Sequence, residues 1–270
     1  MNEPAPTGRL HGMTALVTGS TTGIGQHIAR RFAMEGASVA VHGPGKAEAE
    51  ASAADIRARG GEAVSVAGDL GDPSVPARLA TEATELLGHV DILVNNAALK
   101  TRTNLESTDA AAFDRIIAVN LRAPLLLARS FLPHFRARGG GAVLNIGSVN
   151  AYCGERELLA YSISKGGLMT LTRNLADAHA AEGIRVNQLN LGWVLTKGED
   201  AIKQSEGFPP GWSEMLPTEV APTGHLLHPD EVASFALAFV EPCAHRVNGA
   251  VVDLEQYPLI GRNPPKQLAG

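Results

Sequence analysis

"TGSTTGIG", residues 18–25, follows the apolar run Met13–Thr18 and leads into a segment in which Ile24, Ile28 and Phe32 recur every four residues. The apolar run reads as a buried strand and the four-residue recurrence as a helix. The eight residues therefore make a strand-to-helix turn. Glycines at 19, 23 and 25 permit a tight turn and a close approach of backbone to a ligand. The helix that follows would present unpaired N–H groups and its positive dipole end, a setting that suits a pyrophosphate. Three glycines alone would also make a plain flexible turn. Their place between strand and helix is what points to a nucleotide, although the spacing G-x-x-x-G-x-G differs from the G-x-G-x-x-G of the general dinucleotide fingerprint.

Outward from this turn, strand-like and helix-like segments alternate. Ser38–Val41 is a second strand, and "KAEAEASAADIRARG" is a helix stopped by Gly60 and Gly61. Ala63–Ala67 is a third strand, with a helix over 73–88. "DILVNNA" (91–97), "AVLNIGS" (142–148), "IRVNQLNL" (184–191) and "GAVVDL" (249–254) supply four more strands. Residues 109–138 and 158–182 read as helical, with Pro124 and Pro133 expected to bend or break the first run. Pro229 is well placed to open a last helix. The pattern implies one α/β domain over 1–270: a doubly wound, seven-stranded parallel sheet of Rossmann type, with helices on both faces. Ligands in such sheets bind beyond the carboxyl ends of the strands. Residues 193–228 lack a clear period and carry four prolines. Residues 255–270 run past the last strand, and Tyr257, Leu259 and Ile260 predict packing over the site or onto a neighbouring subunit.

"YSISK" (161–165) places a tyrosine and a lysine four residues apart, on one face of the 158–182 helix. A phenol with an ordinary pKa near ~10 is a poor acid or base at neutral pH, and an adjacent ammonium is expected to lower it. Ser148 ends the fifth strand, where its hydroxyl could hold the oxygen with which Tyr161 exchanges a proton. Alone, Y-x-x-x-K is an ordinary polar helix stripe.

Taken in order, "TGxxxGIG", "NNAA" (95–98), Ser148, Tyr161 and Lys165 closely resemble the short-chain dehydrogenase/reductase family, from about Leu10 to about Leu254. The resemblance implies an NAD(P)-dependent oxidoreductase that moves hydride between nicotinamide and a secondary alcohol or ketone. It implies that Tyr161 is the acid/base, that Lys165 tunes it and holds the nicotinamide ribose, and that Ser148 orients substrate. Asn120 in "AVNL" matches an asparagine associated with a proton-relay water. Cofactor contacts are implied at Gly19, Ser20, Thr22, Gly23, Ile24 and Gly25, at Asn96 and Ala97, and at Asp69 and Leu70 beside adenine. Asn95 resembles the structural asparagine of the family. "LGWVLT" (191–196) resembles the family's "PGxxxT", with Leu191 in place of proline, which implies contacts from Gly192, Val194 and Thr196.

An acid near residue 43 would bind the ribose 2′-hydroxyl of NAD. Gly43 stands there, and the first acid is Glu48. The basic residues usual for NADP are missing at Thr22 and Pro44, but His42 and Lys46 could approach a phosphate. The expectation leans slightly to NADP. The 193–228 segment matches the variable substrate lid of the family. Its Trp193, Phe208 and Trp212 stand among charges, and Lys100 and Arg102 follow "NNAA". Ser148, Asn150, Glu155, Trp193 and Arg102 are the expected substrate contacts. Their polarity favours a sugar, sugar acid or polyol over a lipid. An oxoacyl thioester reductase is the alternative, as is a same-fold enzyme of dehydration or epimerisation. A non-catalytic nucleotide-binding regulator would be expected to lack the serine, tyrosine or lysine.

Composition narrows the remaining classes. With 44% hydrophobic residues, a net charge of −5 and no basic block, no nucleic-acid partner is expected. The apolar run "APLLLA" (123–128) is too short to span a bilayer, and "MNEPAPTGRLHG" has no apolar core for a secretory signal. Two cysteines imply no disulfide framework, and a cytoplasmic location is expected. No metal site is expected. The resemblance implies a homotetramer or homodimer paired through the 109–138 and 158–182 helices.

Overall fold

A computed structural model describes residues 8–256. Seven parallel strands form one sheet: β1 (Thr14–Val17), β2 (Ser38–Gly43), β3 (Glu62–Ala67), β4 (Ile92–Asn95), β5 (Gly141–Ser148), β6 (Ile184–Leu191) and β7 (Val251–Leu254). Their order is β3-β2-β1-β4-β5-β6-β7, so the chain reverses direction between β1 and β4. That reversal opens a crevice beyond the strand ends, where α/β sheets bind ligands. Helices α1 (Gly23–Met34), α2 (Lys46–Ala58), α3 (Val75–Leu87), α4 (Ala110–Ile117) and α5 (Ala123–Arg138) precede β5. The short α6 (Asn150–Cys153), then α7 (Leu159–His179), α8 (Lys197–Ser205) and α9 (Pro229–Val240) follow it.

Two apolar layers cover the two faces of the sheet. One packs Ile28, Phe32 and Val232 against Val17, Val39 and Leu144. The other packs Leu79, Leu127, Phe131 and Phe135 against Leu16, Leu93 and Val143. Burial on both faces explains why the central strands read as unbroken apolar runs rather than alternating ones.

The 110–138 run is continuous, contrary to the expected break. A π-helical turn over Ala118–Arg122 absorbs the register change, with the Ala123 N–H bonded to the Ala118 carbonyl. Pro124 sits at the start of α5, and Pro133 is carried inside the helix. By length and hydropathy the whole run is also apolar enough to cross a bilayer, which the six-residue stretch at 123–128 did not suggest. In the fold its Leu127, Phe131 and Phe135 are fully buried against the sheet.

Residues 193–228 are not irregular throughout. They contain α8 and a 3-10 turn over Trp212–Met215, gathered around a small core of Trp193, Trp212, Val220 and Leu226. The buried face of α8 carries Glu199 and Lys203, which is why no apolar period marks it. At its start the C-terminal segment is tied to this lid: the Gln256 side chain accepts from the Thr223 N–H at 3.0 Å and donates to the His225 carbonyl at 2.7 Å. The remainder of the expected tail, 257–270, lies outside the described residues.

Candidate active site

The glycine turn is shaped by contacts that only glycine allows. Gly19 has φ of +61°, and a Cβ there would lie 2.8 Å from the Ala97 Cα. A Cβ on Gly25 would lie 2.4 Å from the Gly19 carbonyl oxygen. Asn96 ties the turn to the end of β4, its Nδ2 donating to the carbonyls of Thr18 and Gly19 at 2.9 and 3.0 Å. Thr22 precedes α1 without a side-chain cap, and the first turn of α1 carries no acid. Its N–H groups and dipole are thus left for an anion. A dinucleotide pyrophosphate fits this cradle. Ile24, Asn96, Gly192, Val194 and Thr196 line the cavity that continues from it.

Several expected cofactor residues also hold the scaffold. The Ser20 hydroxyl is buried, donating to the Val17 carbonyl at 2.7 Å and accepting from the His42 N–H at 3.0 Å. His42 is 2% exposed. Its Nδ1 accepts from the Gly19 N–H at 3.1 Å and its Nε2 faces the Gly68 carbonyl at 3.0 Å. Burial pushes its pKa down to about 4, so it brings no positive charge to a phosphate. Leu70 belongs to the core. Asp69 is paired with Arg115 at 2.8 Å, and that bond holds its carboxyl below the usual range. Thr196 caps α8 by accepting from the Glu199 N–H at 3.0 Å.

Ser148, Tyr161 and Lys165 converge in the same cavity, with Asn150, Trp193, Lys100 and Glu199. Ser148 is hydrogen-bonded to Tyr161. The Lys165 ammonium lies 5.6 Å from the centre of the Tyr161 ring and donates to the Ile146 carbonyl at 2.6 Å. The expected lowering of the phenol's pKa is not found in the chain alone. Burial is the larger effect: it raises Tyr161 to about 12, helped by the charges of Glu155 and Glu199, while the Ser148 bond opposes it. The same burial lowers Lys165 to about 8. The folded chain therefore holds a neutral phenol, a group ready to give a proton to a carbonyl oxygen.

Asn120 is 1% exposed, and both ends of its side-chain amide are hydrogen-bonded. It accepts from the Leu99 N–H at 2.8 Å and donates to the Leu99 carbonyl and the Ser164 hydroxyl, both at 3.0 Å. Its amide thus pins the segment after β4 to α7. Arg102 does not reach the cavity; it pairs with Glu206 at the end of α8 at 2.6 Å. Glu155 is outside the lining, accepting from the Asn150 amide at 3.4 Å. Phe208 and Trp212 pack within the lid, and Trp193 alone of the three aromatics faces the cavity. Glu199 was readable only as one lid charge among several. Its inward position depends on a helix that the sequence does not announce.

This fold and this constellation define a class. The short chain dehydrogenase family model matches residues 13–207. The chain belongs to the short-chain dehydrogenase/reductase family and is an oxidoreductase that uses a nicotinamide dinucleotide on a small-molecule substrate. It is 34% identical over 254 residues to D-beta-hydroxybutyrate dehydrogenase of Cupriavidus necator, covering 91% of this chain and 97% of that protein. Galactitol 2-dehydrogenase (L-tagatose-forming) of Cereibacter sphaeroides is also 34% identical, with 92% and 95% covered. Among solved structures, a 3-oxoacyl (acyl-carrier-protein) reductase of Agrobacterium tumefaciens with NADP bound superposes with a TM-score of 0.85 at 32% identity, covering 94% of this chain and 96% of that one.

Proposed function

We propose that the protein interconverts a secondary alcohol and a ketone on a sugar, sugar acid or polyol, with NADP as cofactor. The observation that carries this reading is the convergence of Ser148 and Tyr161 on a cavity that also bears the polar side chains of Asn150, Lys100 and Glu199, among apolar ones such as Val149, Leu158 and the Trp193 ring. The dinucleotide supplies the hydride donor or acceptor. Tyr161 gives or takes the proton at the substrate oxygen, and Ser148, bonded to it, orients that oxygen. Lys165, fixed by the Ile146 carbonyl, is placed to hold the cofactor ribose beside the phenol. A relative named for galactitol supports the polyol reading. The oxoacyl reading has a structural relative in its favour, but an acyl chain finds charged and amide groups in this cavity.

The lean to NADP rests on the end of β2, where Gly43 provides no carboxylate to repel a 2′-phosphate, and on Lys46 opening α2. NAD is the second reading, favoured by Glu48, whose carboxylate folds back over Gly45 at the start of α2. Pairing into dimers or tetramers is proposed through α5 and α7, where Leu125 and Ile163 are exposed. Turnover of a panel of polyols, ketoses, sugar acids and an oxoacyl thioester, followed at the nicotinamide absorbance with each cofactor, tests the reading. Polyols or sugars should lead the panel; the thioester leading it would refute the substrate class.

A further inference from the structure

Helix α8 buries a charge that the chemistry at Tyr161 does not use. Lys203 lies on its inner face, with the side chain 6% exposed. The way the helix ends explains how the charge is enclosed. Gly207 follows the last turn with φ of +93°, and the N–H groups of Gly207 and Phe208 return to the carbonyls of Gln204 and Lys203, each at 3.0 Å. Such a left-handed glycine stop folds the next side chain back over the final turn. Phe208 thereby covers Lys203, whose ammonium lies 5.0 Å from the centre of the Phe208 ring and 5.5 Å from that of Trp193. Trp212 closes the cluster, 5.2 Å from the Trp193 ring with the planes 30° apart. Glu206 gives one carboxylate oxygen to Lys203 at 2.7 Å and the other to Arg102 at 2.6 Å.

We propose that Lys203 is a positioning residue for the substrate pocket: its ammonium, held between the Trp193 and Phe208 rings, fixes the indole that lines the cavity. This rests on the reading of that cavity as the substrate site. Burying a charge is costly even when it is paired, and an apolar side chain of similar volume would fill the space without that penalty. What the ammonium adds is direction. It is attracted to the face of an aromatic ring, so it opposes the sliding and turning that an apolar neighbour would allow. The hold extends to the frame of the fold. Glu206 is shared with Arg102, which lies in the segment after β4 that also brings Lys100 to the cavity. The Trp193 wall is thus placed relative to the sheet as well as within the lid.

The test uses the purified full-length protein with its nicotinamide cofactor. Lys203→Met keeps the length of the side chain and removes its charge, while Glu206 stays paired with Arg102. Lys203→Arg keeps a cation that can stack on the same rings. Kinetics are measured on whichever member of the substrate panel is turned over fastest. Lys203→Met should raise its KM about tenfold, with kcat and the dinucleotide Kd within about threefold of wild type, because only substrate contact is loosened. Lys203→Arg should recover most of that loss. A second readout needs no substrate. Trp193 and Trp212 are the two tryptophans of the chain, so intrinsic fluorescence reports this cluster alone. Acrylamide quenching should rise in Lys203→Met and return toward wild type in Lys203→Arg. A Lys203→Met variant with wild-type KM or wild-type quenching would overturn the inference and leave the substrate reading standing. So would an arginine variant as impaired as the methionine one, or a methionine variant whose kcat and dinucleotide affinity fall along with its KM. A thioester leading the panel would refute the substrate class while leaving Lys203 to be judged on the same two readouts. Turnover of no member would overturn both.

Discussion

Gly19 donates its backbone N–H to Nδ1 of His42 at 3.1 Å, while Nε2 of the same ring faces the carbonyl of Gly68 at 3.0 Å. The two partners fix the tautomer with its proton on Nε2. One buried imidazole thereby joins the nucleotide turn, the end of β2 and the end of β3. A second proton would turn the Nδ1 acceptor into a donor aimed at a donor.

This has a consequence in acid. His42 is lowered from 6.5 to about 4 in the folded chain, so the unfolded chain binds the proton first. Stability from this group is full above about pH 6.5 and falls as pH drops towards 4, by up to about 3 kcal/mol. His42→Asn retains an acceptor for Gly19 and does not titrate. Thermal melts between pH 7 and 4 should show a flatter decline for the variant. An equal decline would show that His42 is not the titrating group.

The buried polar ladder across the sheet predicts a stability cost of its own. Asn95 donates to Asn145 at 2.8 Å, Asn145 to Thr172 at 2.8 Å, and Thr172 to Gln188 at 2.9 Å. The ladder continues from Gln188 to Asn190 and from Asn190 to Asp253. Asn145→Leu fills nearly the same space but leaves Asn95 and Thr172 without their partner. The loss should be about 3 kcal/mol, read as a lower urea midpoint. An unchanged midpoint would mean that the ladder adds nothing.

Cofactor choice is testable at the end of β2. A Cβ on Gly43 would lie 2.5 Å from the Thr21 methyl, so Gly43→Asp alone is crowded. Adding Thr21→Ser removes that methyl. The double variant should shift the NADP-to-NAD ratio of kcat/KM toward NAD by at least about tenfold, because a carboxylate there repels the 2′-phosphate and accepts from the ribose hydroxyl. A ratio that does not move would place the 2′-position elsewhere.

The sequence made the strands legible because each lies between two apolar layers, so Leu16, Val17, Val39 and Val94 appear as runs. Tyr161 and Lys165 were legible through helical spacing, and Gly19 and Gly25 through a turn that excludes any Cβ. What stayed hidden depends on contacts far apart in the chain. His42 and Ser20 look like ligand-binding groups until the turn folds onto them. Asn120 looks free until Leu99 and Ser164 claim its amide. Helix α8 could not be recognised because the face it buries is charged. The phenol's pKa was misjudged for a related reason: spacing shows that a lysine is near, but not that burial outweighs it.

The central claim is that the Tyr161 phenol carries the proton. Single-turnover and steady-state rates of Tyr161→Phe, with nucleotide affinity measured by fluorescence titration on the same preparation, test it most directly. The variant should lose about a thousandfold or more in kcat, within the range of general acid–base catalysis, while binding the dinucleotide within a few-fold of wild type. A variant that binds cofactor and turns over at a near-normal rate would contradict the assignment.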